Sequence, residues 1–191
     1  MKKFWTTIEQ TRPKPYNPDL HTETISAVLD TWQQADLLEF EHVLRSELYN
    51  LETREVAELY ILTFNKITGK NSTLTVDSYI SDDNFLYFRC WIVLQGVEFV
   101  KSIQQNINTI MDLPLSVLDT VWSDGGGEQL LYVTDRGEDT KIRDLACENF
   151  PDLDYDFSSK EVELPRAGVE ICRAFPGLAL YLQRHSAWYG G

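Results

Sequence analysis

The chain predicts an all-α fold: a single irregular multi-helix domain built around a buried central helix at about residues 83–104, with few or no strands. Three observations carry this. Apolar residues recur at spacings of three and four along most of the 191 residues. Proline and glycine fall between the periodic runs, where they stop helices. Residues 70–80 are the least helical stretch. Thr73, Thr75 and Val76 could form a short strand there, but a lone strand has no evident mate, so the stretch reads as a loop.

The elements follow in order. Lys3 to Gln10 is a short helix stopped by Pro13, Pro15 and Pro18. His21 or Thr22 opens the next, with Ile25, Val28, Leu29 and Trp32 as its apolar face. Asp36 begins a third, in which Leu37, Phe40, Val43, Leu44 and Leu48 keep helical spacing. Glu55 to Ile67 continues the pattern until Gly69 ends it. The central helix follows and runs to about Gln104. Pro114 suits the first turn of a helix carrying Val117, Leu118, Val121 and Trp122. Gly125-Gly126-Gly127 is a flexible joint. Glu128 to Val133, Lys141 to Phe150, Pro165 to Phe175 and Pro176 to Arg184 complete the helices. One domain, 1–191, accounts for this, with a looser subdomain possible over 125–191.

The start of the central helix is the most informative stretch. Ser81 suits an N-cap, and Asp82 and Asp83 sit where the helix dipole favours negative charge. Phe85, Phe88, Ile92, Gln95 and Phe99 share one face, Leu86, Val93 and Val97 widen it, and Gly96 admits a close backbone approach. Arg89 lies among these aromatics. It must snorkel out or meet a carboxylate, either Asp82 two turns earlier or a distant acid. Ser81, Asp82, Asp83 and Arg89 are therefore the candidate polar cluster. One reading is a capped helix with a buried ion pair that fixes packing. The other is a cleft in which Arg89 clamps an anion while Asp82 or Asp83 acts as base.

The pattern Ser-Asp-Asp-x-Phe-x-Tyr-Phe-Arg-x-Trp-Ile-x-x-x-Gly over residues 81–96 resembles the core signature of a bacterial family of unknown function, the one numbered 4240. Phe4-Trp5-x-x-Ile8 is similar to that family's first helix, Gly127 to Val133 to a later one, and Phe175-Pro176-x-Leu178 with Leu180 to its closing element. Asn84 and Cys90 depart from the pattern, standing where small residues are usual. The resemblance implies a helical fold and no particular activity.

Charge narrows the function classes. Thirty acids against 17 bases give a net charge of −13, which repels nucleic-acid backbones and anionic membranes and favours a basic protein as partner. No apolar run approaches the roughly 20 residues that span a bilayer, and no signal-peptide core follows Met1-Lys2-Lys3, so a cytoplasmic protein is expected. Cys90, Cys147 and Cys172 are odd in number and dispersed among apolar residues, and read as reduced core thiols.

The remaining motifs are partial. Asp152, Asp154 and Asp156 with Glu163 echo a calcium loop, but Phe157 replaces the required glycine and Ser159 an apolar residue, which leaves a solvated acidic loop as the plainer reading. His21, His42 and His185 are dispersed, with no zinc spacing. The glycine run has no Lys-Ser or Lys-Thr after it, so it is no phosphate loop. No cofactor is expected. Trp5, Trp32, Trp91 and Trp122 read as core anchors, and Trp188 lies in the tail. A non-enzymatic interaction or regulatory module, immunity-like in kind, is the leading expectation. An enzyme or ligand site at Asp82, Asp83 and Arg89 is the alternative.

Overall fold

Asn17 and Pro18 show how local chemistry sets the first boundaries. The Asn17 side chain accepts from the Leu20 N–H and Pro18 occupies the first helical position, so the second helix opens three residues ahead of His21. The computed structural model describes residues 2–70, 73–122, 126–136, 141–148 and 163–185. Within them the chain is all-α, with one two-stranded sheet. The early helices are α1 (Lys2–Gln10), α2 (Pro18–Leu29), α3 (Gln34–Asn50) and α4 (Arg54–Phe64). Thr53 caps α4 by accepting from the Val56 N–H at 3.2 Å.

Residues 70–80 are not wholly loop. β1 (Ile67–Thr68) pairs antiparallel with β2 (Thr75–Val76) in the register Ile67 to Val76 and Thr68 to Thr75. The mate was hidden because Ile67 continues the apolar periodicity of α4. Asn65 breaks that helix by taking an extended backbone, and its Nδ2 donates to the carbonyls of Asp77 and Tyr79 at 2.7 Å each. Gly69, at φ +88°, makes the turn, where a Cβ would stand 2.2 Å from the Thr73 carbonyl oxygen.

The central helix is shorter than the sequence suggests. α5 covers Asp82–Leu94 and α6 covers Val97–Gln105. Gly96 interrupts them at φ +99°, a left-handed conformation that closes α5 and opens α6. Glu9 then accepts from the Val97 N–H at 3.4 Å. α5 is the hub: Phe85 and every residue from Phe88 to Leu94 are buried, and it packs against α2, α3, α4, α6 and the turn at Glu128–Tyr132. α6 buries only Val100 and Ile103. The division has a simple cause. Beyond its polar first turn α5 is apolar on nearly every side and must be enclosed, whereas α6 is amphipathic and lies at the edge.

The second half is built of short pieces. Residues 107–112, 119–122 and 128–132 are 3₁₀ turns and α7 is only Leu115–Leu118. α8 (Lys141–Cys147) packs on α3. α9 (Gly168–Ala174) packs on α4 and β2, and α10 (Pro176–His185) packs on α4 and α9. Gly168 presses on the β-ribbon, since a Cβ there would fall 1.8 Å from the Val76 carbonyl oxygen. Gln183 of α10 donates to the carbonyls of Ile67 and Gly69 at 3.3 and 3.4 Å. Trp5 and Trp91 are buried and Trp32 and Trp122 half-buried, while Trp188 and Gly125 lie outside the described residues.

Candidate functional site

The residues singled out at the start of α5 separate in space. Ser81 occupies the N-cap, but its side chain makes no capping bond; only its carbonyl engages, accepting from the Phe85 N–H at 2.9 Å. Asp82 and Asp83 lie in the first turn and are exposed. Arg89 is 0% exposed. Its Nη1 donates to Glu52 Oε2 at 3.2 Å and to the Leu48 carbonyl at 3.1 Å, and its guanidinium lies 4.7 Å from the Phe85 ring centre.

This geometry has an electrostatic logic. Leu48 belongs to the last turn of α3, where the Leu51 and Glu52 N–H groups donate to the Glu47 and Tyr49 carbonyls and Arg89 serves that of Leu48. A cation there complements the negative end of the helix dipole. Glu52, buried just beyond α3, neutralises the charge that this service brings into the core. Arginine suits the place because its planar fork serves two acceptors at once and stacks on an aromatic ring. The acid that meets Arg89 is thus the distant one, and Asp82 and Asp83 face solvent.

Two more buried carboxylates escaped the sequence reading. Glu58 on α4, 0% exposed, receives the Arg166 backbone N–H at 2.9 Å, its Nε at 2.8 Å and its Nη2, tying the segment before α9 to α4. Glu41 on α3 accepts from the Thr134 hydroxyl at 2.5 Å and lies 3.5 Å from Arg45. Burial pushes the Glu41 carboxyl above its usual range, against the hydrogen bond from Thr134 and the charge of Arg45. Both acids carried a signal. Glu58 interrupts an otherwise apolar helical run, and Glu41 and Arg45 are four apart on one helix.

The glycine run is a docking point more than a joint. A Cβ on Gly127 would stand 2.4 Å from the Trp91 nitrogen and 2.7 Å from the Tyr87 carbonyl oxygen, so the two backbones touch through the missing side chain. Beside it Tyr87 hydrogen-bonds Glu128, and burial holds its hydroxyl up at about 12. A hollow of about 60 Å³ lies here, lined by Phe64, Asn84, Tyr87, Phe88, Trp91, Val121 and Gly126. It is too small for a metabolite, and Arg89 does not reach it.

A larger cleft opens elsewhere. About 560 Å³ lies between α2 and the 128–132 turn, lined by Asp19, Thr22, Glu23, Ser26, Gln129, Tyr132 and Val133. The volume is in the range of ligand-binding sites. Asp19, Thr22, Glu23 and Ser26 form one polar stripe of α2, spaced at three, one and three residues.

The other candidates are placed as follows. His21 is buried. Its Nε2 donates to the Ile8 carbonyl at 2.7 Å, and burial pulls the ring down to about 4, so it is neutral. His42 is half-buried on α3 and His185 ends α10 on the surface. Cys90 is buried with its thiol pushed up to about 12 by desolvation, which outweighs the neighbouring Arg89 charge and leaves it inert. Cys172 is also buried, whereas Cys147, at the exposed end of α8, is not the core thiol expected. Asp152, Asp154 and Asp156 lie outside the described residues. Glu163 is exposed and pairs with Arg54. Among the described residues no group of three or more His, Cys, Asp or Glu side chains could hold a metal.

Fold and site together define an all-α protein whose central arginine is internal and whose cleft beside α2 is lined by the carboxylates of Asp19 and Glu23. Residues 1–137 match the model of a family described as a protein of unknown function (DUF4240), and the chain belongs to that family. The match ends ahead of Phe175–Leu180, which had resembled a closing element. No curated protein and no solved structure matches the chain. No helix among the described residues is long and apolar enough to cross a membrane.

Proposed function

We propose that the chain is a non-enzymatic interaction or regulatory module of the bacterial cytoplasm, immunity-like in kind, that recognises a basic protein. The observation that carries this reading is the placement of Arg89. An enzyme or small-ligand site built on Asp82, Asp83 and Arg89 needs the guanidinium at a surface, and here it is enclosed on Glu52. Arg89 therefore serves architecture, and the outer surface is left to do the recognising.

Charge supplies the second support. Arg45, Arg54, Arg89, Arg136, Arg143 and Arg166 are each ion-paired within the chain. With a net charge of −13, the field left over is strongly negative. Such a field steers a cationic partner and repels nucleic acid and anionic membranes. Affinity capture from the host at low and at moderate salt tests the reading. A partner of basic composition, released as salt rises, is the expected outcome. Retention of no partner at either salt counts against it. The competing reading predicts that Asp83→Asn spares folding and abolishes binding of a small ligand.

A further inference from the structure

We infer that the cleft between α2 and the 128–132 turn is the docking site for an arginine- or lysine-bearing segment of that protein partner. The inference rests on the interaction reading above and assigns it a place on the molecule.

The cleft of about 560 Å³ has room for one or two long side chains. Two carboxylates enter it from one helix face, Asp19 and Glu23, four residues apart. Like charges at that spacing repel one another on a helix. Both are exposed, and neither forms an ion pair with a described residue. The guanidinium of Arg143, which lies by Tyr132, pairs with Asp135 at 3.2 Å. Among the described residues that line the cleft none is basic, and its two carboxylates repel an anionic ligand. A cation from outside relieves the repulsion between the two carboxylates and supplies the missing counter-charge.

The opposite wall favours a guanidinium or ammonium on a long stem. Tyr132 is 40% exposed in the cleft. Arg143 already lies 5.1 Å from its ring centre, so the chain itself shows this ring accepting a guanidinium. Gln129 adds an exposed amide beside it, whose oxygen accepts from an N–H donor. Carboxylates on one side with an aromatic ring and an amide on the other match a side chain that is cationic at its tip and apolar along its length.

The test uses the full chain and a fluorescein-labelled octapeptide of alternating arginine and alanine, with anisotropy as readout at low and physiological salt. The variants Asp19→Asn/Glu23→Gln and Asp82→Asn/Asp83→Asn each remove two negative charges, and circular dichroism melts establish that both fold. The inference expects salt-sensitive binding by the wild type, weakened about ten-fold or more by the cleft pair and under about two-fold by the signature pair. Tyr132→Ala should weaken it as well. Equal losses in the two double variants overturn the cleft assignment and leave a general attraction to the acidic surface, with the interaction reading intact. Absence of wild-type binding, or equal binding of a glutamate-alanine octapeptide, overturns both.

Discussion

Glu52→Gln removes the charge that faces Arg89 at 3.2 Å and keeps the shape of the side chain. At that separation, with an effective dielectric of about 20, the Coulomb attraction is about 5 kcal/mol. The glutamine oxygen still accepts a hydrogen bond and returns part of this, which leaves a cost of about 3–4 kcal/mol, within the range seen when a buried pair loses one partner. Domains of this kind have only about 5–15 kcal/mol in all, so the variant should fold but melt roughly 6–16 °C lower. Urea unfolding followed by circular dichroism measures this as a drop in midpoint at unchanged slope. The double variant Glu52→Met/Arg89→Met is the critical control. It buries no lone charge and leaves the Leu48 carbonyl without its Arg89 donor, at about 1–3 kcal/mol. It should therefore be more stable than Glu52→Gln alone. A cost below about 1 kcal/mol for Glu52→Gln, the value of an exposed pair, would refute the reasoning, as would a double variant less stable than either single one.

Two further outcomes follow from other contacts. Gly127→Ala should cost roughly 1–3 kcal/mol or more, because the new methyl meets the backbone of α5 at Trp91; Gly177→Ala, with open space around it, should be neutral or gain about 0.4–1 kcal/mol, and thermal melts of the two variants compare them directly. His21 titrates near 4 when folded and near 6.5 when unfolded, so the unfolded chain binds the extra proton between those values. Its contribution is fully present above about pH 6.5 and is lost as pH falls towards 4, by up to about 3 kcal/mol. His21→Gln should flatten the dependence of unfolding free energy on pH across that window, and an unchanged slope in urea titrations would show that other groups set it.

Legibility differed by element for physical reasons. α1, α3 and α4 were plain because their apolar residues keep a single period. The start of α2 was missed by three residues because the Asn17-Pro18 cap carries no apolar signal. The central helix was read as one, because Phe85, Phe88, Ile92, Gln95 and Phe99 stay in phase across Gly96, and only the left-handed backbone there divides it. β1 was concealed in the apolar run of α4. In the polar cluster, Arg89 was visible as a cation that needed an acid, but its partner depended on how α3 meets α5, which periodicity does not encode. The cleft was illegible for the same reason: Asp19 and Glu23 look like an ordinary solvated face until the 128–132 turn is set opposite.

The β-ribbon has a consequence for behaviour at high concentration. Two paired strands would ordinarily leave backbone donors and acceptors along their outer margins, where a neighbouring molecule can add itself. Here Gly168 is pressed against the carbonyl of Val76, and Gln183 occupies the carbonyls of Ile67 and Gly69. Self-templated stacking through this hairpin is therefore obstructed for as long as α9 and α10 stay seated, and loosening them, as a cut at Arg166 would, turns a shielded ribbon into an adhesive one.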